Sequence, residues 1–127
     1  MNRFGHIDLR VTDLDQALPF YAALLPALGF VHESHGGAWK VWDSEGALPS
    51  AAYFAVTEDR GHVPNETRIA FWAESRDEGD RVAAIARDAG ARVESGPREC
   101  PEYDPSYYAF FFQDPCGNRL EIAYRTA

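Results

Sequence analysis

Phe111-Phe112-Gln113-Asp114-Pro115-Cys116-Gly117-Asn118-Arg119-Leu120-Glu121-Ile122 is the stretch from which the rest of the chain can be placed. It reads as two strands joined by a tight turn. Asp114-Pro115 opens the turn, Gly117 supplies the positive φ that it needs, and the chain returns as a hairpin strand. Alternation along that strand sends Leu120 and Ile122 to one face and Glu121 to the other. The apolar pair needs a helix to cover it. The carboxylate belongs on the face that no helix covers.

Working back from the hairpin, Arg68-Ile69-Ala70-Phe71-Trp72-Ala73 alternates as a strand. Ser75-Arg76-Asp77-Glu78 then forms a capping box. Val82, Ile85, Ala86 and Ala89 make a helical stripe that stops at Gly90, and Arg92-Val93 begins another strand. The same order of events occurs earlier in the chain. His6-Ile7-Asp8-Leu9-Arg10-Val11 alternates, and Asp13 with Gln16 gives a weaker cap. Leu14, Leu18, Tyr21, Leu25 and Leu28 recur near a helical period, with Pro19 expected to interrupt or kink the helix and Pro26 to end it. Gly29 turns the chain into Phe30-Val31. Laying His6 on Arg68, an offset of 62 residues, matches Ile7 with Ile69, Leu9 with Phe71 and Asp15 with Asp77.

Each half continues into more strand, over 38–43 and 50–57 in the first and 107–113 and 119–124 in the second. The expected loops are 44–49 and 59–67. The fold class is therefore α+β: one domain over 1–127, made of two βαβββ modules at about 1–58 and 66–127. In each half the helix covers the Ile, Leu, Phe and Val face. The open face carries His6, Asp8 and Arg10 in the first half, and Arg68, Ala70 and Trp72 in the second. Alternation adds Tyr53, Tyr107 and Phe111. Charges on an open sheet face imply a wet cavity and not a core. His32, His35 and His62 read as loop residues, and 101–108 as a surface loop.

Twelve Lys and Arg against twenty Asp and Glu leave a formal charge of -8. That balance argues against nucleic acid and anionic membrane as partners. Residues 1–6 hold no apolar run of the signal-peptide kind, and no stretch approaches the roughly 18 apolar residues of a membrane span. Cys100 and Cys116 are expected to be free thiols of a cytoplasmic protein. No glycine-rich phosphate loop is present, so no nucleotide cofactor is expected.

The repeat and the hairpin together resemble the vicinal oxygen chelate superfamily, which includes glyoxalase I, extradiol dioxygenases, and fosfomycin- and bleomycin-resistance proteins. The pieces that carry the resemblance are 6–14, Phe20-Tyr21, Leu28-Gly29-Phe30, Arg68-Ile69-Ala70-Phe71, and Asp114-Pro115-x-Gly117-Asn118-x-x-Glu121. It implies an incomplete, barrel-like arrangement of the modules around a central cavity, a homodimer, and a divalent metal held at up to four positions. His6 matches the first-strand ligand and Glu121 the last-strand carboxylate. Arg68 stands where the second half usually has histidine, and Ala55 at the remaining position, although Tyr53 faces the same way. Arginine has no lone pair to give and alanine has no donor atom, so the metal is in doubt. The arrangement of two histidines and a carboxylate needed for ring-cleaving dioxygenases is not met.

Several roles stay open at this point. Glu121 can pair with Arg68, ligate a metal or act as a base. His6 can be a wall residue, a ligand or an acid–base group. A metal could instead use His6, Asp8 and Glu121 with water. Two functions follow. The first is a glyoxalase-like lyase or isomerase acting on a small oxygenated or carboxylate-bearing molecule, with His6 and Glu121 catalytic and Arg68, Asp8, Tyr53, Trp72, Tyr107 and Phe111 around the ligand. The second is a metal-free protein of the bleomycin-resistance type that sequesters a small molecule.

Overall fold

The computed structural model describes residues 3–44 and 52–126. Its elements run β1 (His6–Val11), α1 (Leu14–Ala27), β2 (Phe30–His35), β3 (Trp39–Ser44), β4 (Tyr53–Glu58), β5 (Arg68–Trp72), α2 (Arg76–Asp88), β6 (Arg92–Glu99), β7 (Tyr108–Gln113) and β8 (Arg119–Tyr124). They fall into two compact units, Met1–Val63 and Pro64–Ala127. The first unit has an open sheet of order β1-β4-β3-β2, the second one of order β5-β8-β7-β6. In each sheet the outer first strand runs parallel to its neighbour and the other pairings are antiparallel. Each unit is thus a βαβββ module, as the repeat predicts.

The helices start where the caps predict. Asp13 accepts the Gln16 N–H at 3.1 Å, and Glu58, at the end of β4, accepts the Leu14 N–H at 3.0 Å. Ser75 accepts the Glu78 N–H at 3.0 Å, while Glu78 reaches back to the Glu74 N–H at 3.1 Å. Two of the N–H groups orphaned at the start of α1 and one at the start of α2 are satisfied in this way. α1 runs through Pro19 and Pro26 and ends at Ala27. It buries Ala17, Phe20 and Leu24 beside Leu14, Tyr21 and Leu25, a wider stripe than the sequence periodicity marks. α2 buries Gly79, Val82, Ala83 and Ala86.

Under the helices lie Phe54, Trp42 and Val56 in the first module, and Phe110, Phe112, Leu120 and Ile122 in the second, all essentially inaccessible. The hairpin behind the last two is held by Asp114, which is fully buried. Its Oδ1 accepts the N–H groups of Cys116 (2.8 Å) and Asn118 (2.9 Å), and its Oδ2 the Asn118 amide (3.0 Å). Gly117 sits at φ +95°.

The sequence reading needs three corrections here. His32 and His35 belong to β2 and not to a loop. β2 pairs only with β3 at the sheet margin and is exposed beyond Phe30, so its polar composition reads as loop. β4 begins at Tyr53; residues 45–51, where a loop and the start of that strand were expected, lie outside the described residues. β6 continues to Glu99 through two register shifts, at Val93/Ser95 and Ser95/Arg98.

Candidate functional site

Register places Ala70, Glu121, Phe111 and Ser95 on one rung across the second sheet. Leu120 and Ile122 face α2, so Glu121 faces away from it, and it is nevertheless buried. What covers it is local. Cys100, Ala109, Phe111 and Ala123 form a small apolar cluster on this face, with Tyr107 packed against it. Tyr107 Oη donates to Glu121 Oε2 at 2.5 Å. Burial, that hydrogen bond and the charge of Glu121 push the Tyr107 phenol well above its usual range. The phenol therefore stays protonated and donates.

The segment 101–107 is pinned beside this pair. Cys100 and Tyr107 are joined through their backbones at 2.8 Å, and Asp104 accepts both the N–H and the hydroxyl of Ser106 at 2.9 Å. Tyr103 thereby lies edge-on to Tyr107, with centroids 5.4 Å apart, and 6.4 Å from Phe111. Behind it, burial raises the Cys100 thiol pKa.

Arg68 does not pair with Glu121, which corrects the simplest sequence expectation. Its Nη2 meets Glu94 at 2.6 Å, its Nη1 donates to the Leu120 carbonyl at 2.7 Å, and its guanidinium lies 5.2 Å from the centre of the Phe111 ring. Register explains the choice: Ala70 stands opposite Glu121, whereas Arg68 stands opposite Arg119. Burial raises the Glu94 pKa, but hydrogen bonds from Gln113 and Arg68 and the charges of Arg68 and Arg119 outweigh it and hold the carboxyl below its usual range. Sequence reasoning missed Glu94 because it lies in the Val93/Ser95 register shift, where alternation ceases to predict a face. Arg98 also lies over Phe111, at 5.7 Å. Trp72 is 62% exposed, with Arg125 at 5.4 Å over its ring.

In the first module, His6 and Tyr53 are register partners and stack with ring centres 4.4 Å apart and planes within 2°. Asp8, one rung along and opposite Ala55, accepts from Arg10 (2.8 Å) and Thr57 (2.9 Å). The structure thus gathers His6 with Tyr53, and Glu121 with Tyr107 and Phe111. It separates Arg68 from Glu121 and commits Asp8 to its own neighbours.

Four-ligand metal binding does not fit these residues. Arg68 and Ala55 supply no donor, and Tyr107 already holds one oxygen of Glu121. Within either module, among the described residues, no three His, Cys, Asp or Glu side chains are gathered for an ion. On the helix side of the second sheet, the crevice between Gly79, Pro97, Phe110 and Tyr124 has no room for a water molecule. Among the described residues, no helix is long and apolar enough to cross a membrane.

Comparison with known proteins agrees with this architecture. Residues 3–122 match the family described as the Glyoxalase/Bleomycin resistance protein/Dioxygenase superfamily. No curated protein matches the chain. Among solved structures, a glyoxalase/bleomycin resistance protein from Albidiferax ferrireducens is 25% identical, with a TM-score of 0.79 over 98% of this chain and 100% of that one. A putative glyoxalase from Bacillus halodurans is 23% identical, with a TM-score of 0.71 over 98% and 96%. The fosfomycin resistance protein FosX from Mesorhizobium loti is 18% identical, with a TM-score of 0.69 over 99% and 94%.

Proposed function

The chain belongs to the glyoxalase/bleomycin resistance protein/dioxygenase superfamily, and on that footing we propose that it is a glyoxalase-like enzyme of the lyase or isomerase type, acting on a small oxygenated or carboxylate-bearing molecule. The observation that carries this reading is the Tyr107–Glu121 pair on the open face of the second sheet. A buried carboxylate costs several kcal/mol of desolvation unless it is hydrogen-bonded. Here the bond goes to one oxygen through a phenol that cannot itself titrate near neutrality.

In this reading Glu121 is the proton acceptor. Tyr107 fixes the carboxylate by holding Oε2, which orients the remaining oxygen toward a C–H or O–H beside a carbonyl. Phe111 supplies an apolar surface for the carbon skeleton. The guanidinium groups of Arg68 and Arg98, both above the Phe111 ring, offset negative charge that develops on an enolate oxygen. His6, on the first module, is the second acid–base candidate. No step is routed through a metal. The family resemblance further favours a homodimer.

The test is turnover by purified protein across a panel of small oxo-acids, hydroxy-ketones and hemithioacetals. E121Q should lower kcat by roughly a hundredfold or more, the range of a lost acid–base group, and Y107F by less. H6Q is assayed alongside. Full activity in E121Q would remove the carboxylate from the mechanism.

A second reading rests on Arg68 and Ala55 standing at donor positions: a metal-free protein that binds a small molecule without turning it over. It predicts thermal stabilisation by the ligand in both wild type and E121Q, with no product formed. One tightly held ion per chain on elemental analysis would exclude this reading in its simple form.

A further inference from the structure

One rung along from Glu121, the open face of the second sheet carries an arrangement that packing alone does not favour. Register aligns Arg68, Arg119, Gln113 and Arg92 across β5, β8, β7 and β6. Arg68 and Arg119 are direct neighbours, and like charges placed opposite each other destabilise a sheet. In a chain with eight more acids than bases, three arginines on one line are unexpected.

The repulsion is relieved by one side chain from the far edge. Glu94, carried on the register shift of β6, lies across the sheet. Its Oε1 meets Arg68 at 2.6 Å, and its Oε2 meets Gln113 Nε2 at 3.0 Å and Arg119 Nε at 3.8 Å. Arg92 in turn donates to the Gln113 side-chain amide oxygen Oε1 at 3.3 Å. Two guanidinium groups and an amide therefore surround one carboxylate, which is how proteins grip an oxyanion. The site is built: both oxygens are held, and the Arg68 and Glu94 side chains are about three-quarters covered (23% and 25% exposed). Counting Glu121 on the next rung, three guanidinium groups still face two carboxylates. The region keeps a surplus of positive charge for an incoming anion.

We propose that Arg68, Arg119 and Gln113 form a subsite for the oxyanion of a small acid, and that the Glu94 carboxylate is its internal placeholder, displaced when the ligand arrives. Displacement exchanges one carboxylate for another in the same cradle. Glu94, on an irregular strand at the sheet edge, is free to turn into water. Arg119 and Glu121 are two residues apart on β8, about 7 Å along the strand. The ligand is then a compact acid, with its anionic group within a few bonds of the carbon next to Glu121. This assignment rests on the proton-transfer reading only for that last placement.

The test uses the full, isotope-labelled chain titrated with sodium acetate and, separately, inorganic phosphate at constant ionic strength. The Arg68 and Arg119 Nε–H signals are followed against Arg81, which pairs with Glu78 on α2. Both signals should move saturably in wild type, together with the Glu94 carboxyl carbon. E94Q should bind the anion roughly tenfold more tightly, a gain of the size of one charge-assisted hydrogen bond, and adding R68A should erase that gain. Stronger binding of acetate assigns the carboxylate class, and stronger binding of phosphate the tetrahedral class. Arginine shifts no larger than those of Arg81, or E94Q binding no more tightly than wild type, would overturn the subsite. If E94Q fails to fold, the wild-type titration decides, because displacement must move Glu94 together with both arginines. E121Q separates the two proposals: it should lower kcat by roughly a hundredfold or more while the saturable Arg68 and Arg119 shifts persist.

Discussion

Glu121 shows what a single position reveals in sequence and what it hides. Its face followed from alternation, because Leu120 and Ile122 had to meet the helix. Its partner did not. Tyr107 is fourteen residues away and lies just before β7, and only the packing of the Cys100–Ala109–Phe111–Ala123 cluster brings its hydroxyl to the carboxylate. Arg68 was likewise placed on the correct face, yet its acid, Glu94, sits where a register shift breaks the alternation. The same cluster predicts how the two thiols differ. Cys100 is fully buried and its thiol pKa is raised, whereas Cys116 is partly exposed. An aromatic disulfide reagent should modify Cys116 first, with Cys100 reacting only at the rate of local opening or unfolding. Equal rates for the two in the native protein would contradict the packing described for this face.

The hairpin between β7 and β8 was the most legible feature of the chain, because Asp-Pro and Gly117 mark the turn directly. What sequence did not reveal is how much Asp114 holds. Three hydrogen bonds converge on its buried carboxylate, so D114A should cost roughly 2–4 kcal/mol in urea unfolding. A loss below about 1 kcal/mol would mean that the turn holds without them. β6 was legible only at its start, Arg92-Val93. In the structure Gly96 has φ +90°, and a Cβ there would press on the Ala109 carbonyl and the Arg98 N–H. G96A should therefore destabilise the second module by at least about 2 kcal/mol, and a neutral result would show that β6 can slide past β7. β2 was legible only at Phe30-Val31 for the opposite reason: an exposed margin strand needs no apolar alternation.

Both modules were legible as a repeat, and the excess of acids as a charge of -8, but not which acids respond to pH. Glu94 is held below its usual pKa despite the upward push of burial, by Gln113, Arg68 and Arg119. Glu102 is held down by a backbone hydrogen bond and Arg98, and Asp104 by Ser106. Each of these groups binds its proton less readily folded than unfolded. Their stabilisation is present above the ordinary carboxylate range, near pH 4 to 4.5, and is lost as the pH falls through it and below. Urea midpoints measured from pH 7 downward should fall below about pH 5, and E94Q should flatten part of that fall. A midpoint unchanged down to pH 3 would contradict these shifts. In both sheets the strand made first is completed by the strand made last: β1 lies beside β4, and β5 beside β8. During synthesis, then, β1 waits for Glu58 and β5 for Tyr124, each strand without its one neighbour in its own sheet until the ribosome has released the end of its module. A nascent chain arrested before Arg119 would hold a finished first sheet and, in the second, β5 severed from β7 and β6.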